Sequence, residues 1–330
     1  MAPSDLALTR WFGEHRSFLW GLSYRITGSS ADADDVVQET FIRAWKHAPE
    51  HLDNARQWLM RVAVNASRDV LRRRKRRSYI GPWLPTPIDT SGDDVPPSYE
   101  PVVEGRTLEG RYDLMESASL AFLQALDALT PTQRAVLLLC DVFDYSAGEV
   151  GAVLDVSEGN VRQIHHRARR AMESYEQRRA VPTATNVART HKALERFLAL
   201  LQDGDVGGIE RLLTDDVKAT TDGGGEFTAA LVPIAGAEAV ARFFARLAAS
   251  RDGRMTIAIR SINLFPTAVL DFEESQGRRP RRIALSVDVD ANGLIAAVRV
   301  IVSSHKLAHL ADRDGGRLMD LQAVAAPALD

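Results

Sequence analysis

Hydrogen-bonding and basic side chains are concentrated in residues 157–170. Donors near the start of a helix can reach base edges in the major groove of DNA, and cations further along can bind phosphates. The side chains suited to base edges are Ser157, Asn160, Arg162, Gln163 and His166, and those suited to phosphates are Arg167, Arg169 and Arg170. Their types and order predict contact with duplex DNA.

Two short helices must position these side chains. The pattern predicts a helix over 147–154, a turn at 155–157 and a second helix from Glu158, which together form a helix-turn-helix. The apolar residues that would hold the helices together are Val150, Val153, Val156, Val161 and Ile164. A helical hairpin with a solvated basic face is the plain alternative. The coincidence of turn, apolar residues and basic end disfavours it.

A second basic segment, residues 61–77, holds eight basic residues and one acid. It continues a predicted helix that starts near Trp58 and carries Asn65 and Arg68. An aromatic ring and hydrogen-bond donors on a cationic helix suit an unstacked base and its phosphates. Taken alone, such a charge run could also be a solvated helix end.

Acidic and amide side chains open another predicted helix upstream, at Asp32, Asp34, Asp35, Gln38 and Glu39. Acids in a first helical turn commonly complement the helix dipole. Their concentration in an otherwise basic part of the chain favours an exposed surface for a basic protein partner. Charge alone leaves both interpretations open.

Catalytic chemistry has little support in the sequence. The nearest acid or base candidates are Asp222, Asp271, Asp288 and His305, which we interpret as solvent-facing residues at strand ends. No paired acid and base, metal-ligand spacing or phosphate loop is recognisable, and residues 223–225 indicate a turn because no Gly-Lys-Ser/Thr follows. We therefore predict no enzyme activity, no metal and no cofactor.

Charge and composition divide the 330 residues, whose net charge of -3 conceals local differences. Residues 1–77 hold fourteen basic and nine acidic residues, whereas residues 78–117 hold two basic and eight acidic ones with six prolines. The second segment has no apolar periodicity and is interpreted as an acidic, proline-rich linker. It separates predicted helical domains at 1–77 and 118–180.

A third domain is predicted over residues 186–330, after a break at 181–185. Helical stripes come first, and strand-like runs follow at 255–259, 283–289 and 294–302. Asn-Gly at 292–293 favours a hairpin between the last two runs, because both residues tolerate positive φ. This domain is predicted to be α+β. The single cysteine, the short apolar runs and the charged first residues together predict a cytoplasmic protein without a membrane partner.

Several segments in series closely resemble bacterial sigma-70 family factors of the extracytoplasmic-function (ECF) group. They are residues 32–45, residues 58–65 with their basic continuation, residues 126–134 and the helix-turn-helix, and the resemblance covers about 5–77 and 118–178. It implies two all-α domains that direct RNA polymerase to promoters. The first would bind the polymerase clamp and read the melted -10 element; the second would bind the flap and read the -35 element. The implied partners are promoter DNA and the β and β′ subunits of the polymerase core.

The resemblance also assigns site residues by position. The core-polymerase surface it implies is Asp32, Asp34, Asp35, Gln38, Glu39 and Arg43. The -10 surface is Asn54, Arg56, Asn65, Arg68 and Arg72, with Asn65 as a candidate pocket residue for a flipped base. The -35 readers are Arg162, Gln163, His165, His166 and Arg167, to which the helix start adds Ser157 and Asn160.

The third domain resembles the fused SnoaL-like domain, of the NTF2-like fold, in SigJ-like sigma factors. That resemblance implies modulation of activity in place of a separate anti-sigma protein, through Trp83, Leu84, Pro85, Asp222, Gly223, Gly224 and Gly225. Two departures stand out: Glu226 replaces a usual Lys, and residues 303–307 read Ser-Ser-His-Lys-Leu instead of Asn-Pro-Asp-Lys-Leu. The regulatory contacts are therefore expected to be weaker or different.

Two other functions stay open on the sequence. One is a DNA-binding regulator whose C-terminal domain senses a small apolar ligand or is a vestigial isomerase-like or cyclase-like enzyme. The other is a repressor that never binds polymerase. Such a repressor would have no need for the acidic helix or for the segment at 58–65.

Overall fold

The computed structural model describes residues 5–49, 54–76, 79–91, 111–250, 254–273 and 278–310, together with the backbone of 317–320. The chain forms two compact units. Unit 1 comprises residues 1–78 and 94–181, and unit 2 comprises residues 79–93 and 182–330. Unit 1 is helical and unit 2 is α+β, which confirms the predicted fold class.

Three long helices form the first half of unit 1: α1 (Asp5–Thr27), α2 (Ser30–His47) and α3 (Ala55–Arg76). Each packs against the other two. Ser29 caps α2, because its side chain accepts a hydrogen bond from the backbone N–H of Asp32. The core between the helices includes Phe18, Leu22, Val36, Leu59 and Val64. Burial of these residues fixes which faces of α2 and α3 meet solvent.

The second half of unit 1 holds α4 (Leu120–Ala125), α5 (Pro131–Asp141), α6 (Ala147–Leu154), α7 (Glu158–Ala171) and α8 (Glu173–Glu176). Capping boxes begin two of these helices, since Thr130 pairs with Gln133 before α5 and Ser146 pairs with Glu149 before α6. α6 and α7 pack together, which confirms the predicted helix-turn-helix.

Two residues shape the turn between α6 and α7. Asp155 ends α6 in the left-handed conformation, with φ of 59°. Gly151 lies under the turn, where an added Cβ would be 2.7 Å from the carbonyl oxygen of Val156. A side chain at position 151 would therefore push the two helices apart.

The segment predicted as a linker at 78–117 has packed structure at both ends. Residues 79–91, here called the strap, belong to unit 2. At the other end Tyr112 is buried in unit 1, and its backbone N–H donates to the carbonyl of Asp141 at 3.0 Å. The apolar residues that pack here occur singly between prolines and acids, so the sequence shows no apolar periodicity that would reveal them. Residues 92–110 lie outside the described part.

Unit 2 packs α9 (Ala184–Asp203), α10 (Val206–Leu212) and α11 (Ala237–Ala249) with a seven-stranded sheet. The strands are β1 (Leu213–Asp222), β2 (Ile234–Ala235), β3 (Arg254–Ile262), β4 (Phe265–Phe272), β5 (Arg282–Val289), β6 (Ile295–Ile301) and β7 (Arg317–Asp320). Their order is β2-β1-β6-β5-β4-β3-β7, and every neighbouring pair is antiparallel except β1 with β6. The predicted β5–β6 hairpin is confirmed. A short helix, α12 (Ser304–Leu307), follows β6.

The two faces of this sheet pack against different elements. On one face, Leu285 and Phe272 join the main core with residues of α9 and α11. On the other face, Leu84 of the strap packs with Ala284 and Val269 in a smaller cluster. Side chains alternate along a strand, which is why neighbours such as Ala284 and Leu285 serve opposite faces. The strap thus covers the face that the long helices leave open.

Candidate nucleic-acid and polymerase interfaces

Helix α7 presents a set of exposed polar side chains. The exposed members of the predicted -35 set are Ser157, Asn160, Arg162, Gln163, His166 and Arg167. Ser157 caps the helix by accepting a hydrogen bond from the backbone N–H of Asn160 at 3.3 Å. Arg162 pairs with Glu158 one turn earlier on the same helix. Donors are therefore available to a DNA major groove along the first three turns of α7.

His165 is the member of the predicted -35 set that faces the protein. Its Nε2 lies 2.9 Å from Oδ1 of Asp141, the last residue of α5. Arg169 donates to both oxygens of the same carboxylate, at 2.5 and 3.0 Å. Burial opposes ionisation of Asp141, but His165 and Arg169 outweigh it and hold the pKa of Asp141 below its ordinary value of 3.8. This cluster fixes α7 against α5.

Three of the predicted -10 residues lie on α3 or at its start. Asn54 accepts a hydrogen bond from the backbone N–H of Gln57 at 2.9 Å and so caps the helix. The guanidinium of Arg56 lies 4.3 Å from the centre of the Phe18 ring, in cation–π geometry. Arg72 is exposed near the basic end of the helix. The structure therefore leaves Asn54 and Arg72 open to solvent and holds Arg56 on an aromatic ring.

The other two predicted -10 residues touch each other. Arg68 donates to Oδ1 of Asn65 at 3.0 Å and to the hydroxyl of Thr132, in the first turn of α5, at 2.9 Å. Burial and the neighbouring Arg72 lower the pKa of Arg68. Because Thr132 belongs to the second half of unit 1, a predicted -10 reader is engaged by the domain that carries the helix-turn-helix.

Buried arginines extend this contact between the two halves of unit 1. Arg134 of α5 donates to the carbonyl of Ile26, at the end of α1, at 3.0 Å. In the other direction, Arg25 of α1 donates to the hydroxyl of Ser117 at 2.7 Å. Both guanidiniums come from buried residues. Unit 1 is thus a closed arrangement of its two helical halves.

The predicted core-polymerase residues lie along α2. Asp34, Asp35, Gln38 and Arg43 are exposed. Asp32 instead pairs with Arg74 of α3 at 2.5 Å. The remaining member, Glu39, pairs with Arg43 at 2.7 Å. Most of this set is available to a partner, and Asp32 helps to hold α3 on α2.

An apolar patch beside these acids escaped the sequence prediction. Phe12, Ile42 and Trp45 are 44%, 39% and 57% exposed, and with Val37 they line a shallow cavity of about 540 Å³. Large apolar side chains exposed together mark an interaction surface. Helical spacing groups Trp45 with the buried Val37 and Ala44, so the pattern alone did not separate an exposed aromatic from core residues.

In unit 2, the predicted regulatory motifs meet at Asp222, which is fully buried, so the prediction that Asp222 faces solvent was wrong. One carboxylate oxygen accepts hydrogen bonds from the Tyr79 hydroxyl at 2.5 Å and the Gly224 N–H at 3.1 Å. The other accepts from the Leu84 N–H at 2.7 Å and from Lys306 Nζ at 2.6 Å. Asp222 therefore joins the strap, the glycine turn and α12.

Lys306 completes this junction from the α12 side. Its Nζ also donates to the carbonyl of Leu84 at 2.5 Å and lies 4.2 Å from the centre of the Trp83 ring. The adjacent Pro85 is buried. A paired and hydrogen-bonded ammonium over an aromatic ring satisfies a charge that burial would otherwise penalise. The sequence places Lys306 within a divergent motif and does not indicate its contact with Asp222.

The two departures from the SigJ-like pattern contact each other. The carboxylate of Glu226 accepts hydrogen bonds from the backbone N–H of Ser304 at 3.1 Å and from its hydroxyl at 2.5 Å. A proline at position 304 has no N–H to donate. The altered motifs therefore form a local contact of their own, in which Ser304 supplies two donors and Glu226 supplies the acceptor oxygens.

The acids considered for catalysis lie away from the interior between sheet and helices. Asp271 pairs with Arg282, and Asp288 pairs with Arg299. In register, Asp271 alternates with Leu270 and Phe272, which belong to or pack against the main core. His305 is exposed on α12. These side chains are not brought together.

Comparison with known proteins assigns the helical part to a family. Residues 11–77 match the sigma-70 region 2 family, and residues 119–172 match sigma-70 region 4. The ECF RNA polymerase sigma factor SigJ of Mycobacterium tuberculosis (strain ATCC 25618 / H37Rv) is 32% identical over 230 residues, 69% of each chain. The chain belongs to the ECF sigma factor family. The ECF sigma factor SigG of the same strain is 32% identical over 219 residues, 61% of this chain and 57% of SigG.

A solved structure extends the similarity of this ECF sigma factor to nearly the whole chain. The crystal structure of M. tuberculosis SigJ matches with a TM-score of 0.67 at 26% identity, and covers 91% of this chain and 98% of that one. The protein is therefore a SigJ-like sigma factor that acts in promoter-directed transcription initiation and carries a fused C-terminal α+β domain. Among the described residues, no helix is both long and apolar enough to cross a membrane.

Proposed function

We propose that α7 reads the -35 element of a promoter through Arg162, Gln163, His166 and Arg167. These side chains are exposed on the helix that follows the turn, where major-groove readers lie in helix-turn-helix proteins. Ser157 and Asn160 add groups at the helix start. We assign His165 a positioning role instead, because it faces Asp141 within unit 1.

The -10 surface is proposed to comprise Asn54 and Arg56 at the start of α3 together with Asn65, Arg68 and Arg72 further along it. Its cationic end suits a single strand, since stacking surfaces and phosphate-binding cations are the common means of holding unpaired bases. Arg68 can serve there only after it leaves Thr132. The closed arrangement of unit 1 is therefore proposed to be an inactive one.

The polymerase core, through its β and β′ subunits, is the proposed protein partner. For the α2 surface the proposed contacts are Asp34, Asp35, Gln38, Glu39 and Arg43, with an apolar centre at Phe12, Ile42 and Trp45. An aromatic centre ringed by charges has the composition of an interface hot spot. Asp32 would act indirectly, by holding Arg74 and α3. Such a partner places the action of the protein in the bacterial cytoplasm.

Unit 2 is proposed to modulate this activity in place of a separate anti-sigma protein. The observation that carries the proposal is the strap: the segment that joins the two sigma-70 domains is bound by buried hydrogen bonds to Asp222 and Lys306. Release of residues 79–91 would free that part of the connection. The effective concentration at which the two domains meet would fall, and the closed arrangement would open more readily.

We further propose that unit 2 binds a ligand and does not catalyse a reaction. Asp222, Asp271 and Asp288 are paired with arginines or lysine on the strap side of the sheet, and the enclosed side is apolar. A small apolar ligand is the proposed occupant of that side, with no cofactor.

Promoter-directed transcription with core enzyme tests the proposed -35 reader. Arg162→Ala should lose discrimination at one base pair of the -35 element, by about 1–3 kcal/mol, because a bidentate base contact is worth that much. Arg170→Ala, which removes an exposed cation from the end of α7, should weaken binding to all sequences alike. Uniform weakening by Arg162→Ala would mean that Arg162 binds only phosphate.

A further inference from the structure

An apolar cavity of about 90 Å³ lies between the sheet of unit 2 and its helices. It is lined from α9 and α11 by residues such as Leu201 and Ala248, and from β3 to β6 by residues such as Ile257 and Leu285. Several lining residues, including Leu198 and Leu247, keep part of their surface accessible. The cavity is therefore open at one side.

The chemistry of the wall excludes a polar or charged occupant. Among the described residues that line the cavity, Gln202 is the one with a polar side chain, and none is titratable. Gln202 is itself exposed, so it lies at the rim. A buried water needs two to four polar partners, and a buried carboxylate needs a cation. An apolar group is the occupant that such a wall can satisfy.

The size of the cavity limits what kind of apolar group can enter. A water molecule occupies about 30 Å³ of liquid, and an apolar cavity of about 150 Å³ holds benzene. A cavity of about 90 Å³ is too small for a fused ring system. It matches a short aliphatic segment of a few carbons, with the rest of the molecule outside the rim.

We propose that unit 2 binds the end of an uncharged aliphatic chain in this cavity, with a hydroxyl or amide head group beside Gln202. The biological meaning of such binding rests on the proposed modulation by unit 2. Binding itself does not, because the cavity is formed by the sheet and helices of unit 2 alone.

The test is a titration of full-length protein, labelled with ¹³C at Ile, Leu and Met methyl groups, with 1-hexanol. The methyl resonances of Met255, Ile257 and Leu285 should shift saturably, and those of Leu59 in unit 1 should not. Hexanoate should bind at least tenfold more weakly, because its carboxylate would lie at an apolar rim without a cation. Absence of saturable shifts at the lining methyls, or equal binding of hexanoate, would overturn the proposal.

Two variants locate the bound chain. Ala248→Phe should fill the cavity and abolish the saturable shifts, whereas Ala249→Phe on the same helix, at a residue that does not line the cavity, should retain them. Unchanged binding in Ala248→Phe would contradict the site. Gln202→Leu, at an exposed position that tolerates replacement, should weaken 1-hexanol binding severalfold, and unchanged binding there would contradict the head-group position.

Transcription separates this inference from the proposed function. If hexanol fails to bind while variants of the strap still change promoter-directed transcription, the ligand proposal alone is wrong. If hexanol binds at the lining methyls while strap variants leave transcription unchanged, the proposed modulation is wrong and the binding site stands.

Discussion

At the scale of single residues, two buried carboxylates hold the contacts that matter most. Asp141 and Asp222 are 1% and 0% exposed. Asp141 binds His165 and Arg169 and so orients α7, and Asp222 binds Lys306 and the strap. A buried carboxylate is costly unless all its partners are in place, so each of these acids favours one arrangement over others.

Replacing Asp141 by Asn tests the first of them. Because folding lowers the pKa of Asp141, its stabilisation is present above about pH 4 and is lost as the pH falls through the lower folded pKa. The variant should therefore lose about 2–4 kcal/mol near neutral pH, the range for breaking a charged hydrogen-bonded cluster, and should approach the wild type in acid.

Amide hydrogen exchange of α7, followed from neutral to acidic pH, measures this loss. Asp155→Asn is the matched control, since its side chain is 87% exposed and asparagine accepts the left-handed conformation at that position. Equal exchange of α7 in Asp141→Asn and wild-type protein at neutral pH would refute the assignment.

Residue types in the sequence predicted which side chains could form the site, but not which of them the rest of the fold holds inward. Exposed donors such as Arg162 and Gln163 lie where the helix-turn-helix pattern placed them. His165 and Arg68 have the same chemistry, but partners far along the chain hold them inward. The contacts of Arg169 with Asp141 and of Arg68 with Thr132 span 28 and 64 positions, so they leave no local pattern in a single sequence. The roles of the individual site residues remain predictions.

At the scale of elements, helix signals were strong where caps and amphipathic stripes coincide. Thr130 and Ser146 cap α5 and α6, and the second of these helices lies at 147–154, where the sequence predicted it. In unit 2, alternation predicted the runs that form β3 and β5, and a long strand-like run predicted β6. β4 (Phe265–Phe272) was not predicted, because Pro266 and Thr267 interrupt its apolar pattern; both are buried. Tertiary packing, not local sequence, specifies that strand.

The surface of α2 yields a prediction for one whole element. Replacing Asp35 and Glu39 together by Lys should abolish association with the polymerase core, because both charges on a proposed complementary surface are reversed. The control replaces Asp203 and Glu238 of unit 2 by Lys, which changes the net charge equally. Co-purification with core enzyme measures the outcome, and normal binding of the α2 variant would refute the assigned surface.

The apolar centre of the same surface is tested separately. Trp45→Ala should weaken core binding more than tenfold, because a buried aromatic anchor in an interface contributes about 2 kcal/mol or more. Its exposure in the free protein means that the fold should tolerate the change. A variant that binds core enzyme with wild-type affinity would show that the patch serves another partner.

At the scale of the whole molecule, the charge distribution and the chain connection both single out the acidic segment between the two sigma-70 domains. The net charge of -3 is the balance of a basic first domain and an acidic segment after it. The sequence predicted that segment as a linker, and the structure binds its first part, the strap, to unit 2. Its role could not be predicted from composition, since Leu84 and Lys306 meet across 222 positions.

The most direct test of the central claim is run-off transcription from a cognate promoter with polymerase core and full-length protein. We compare wild type with two variants. Asp222→Asn weakens the binding of the strap to unit 2, and Asp271→Asn breaks an ion pair of unit 2 that does not involve the strap. Asp222→Asn should raise promoter-directed transcripts severalfold, while Asp271→Asn leaves them unchanged. Unchanged transcription with Asp222→Asn, or an equal rise with both variants, would contradict modulation through the strap.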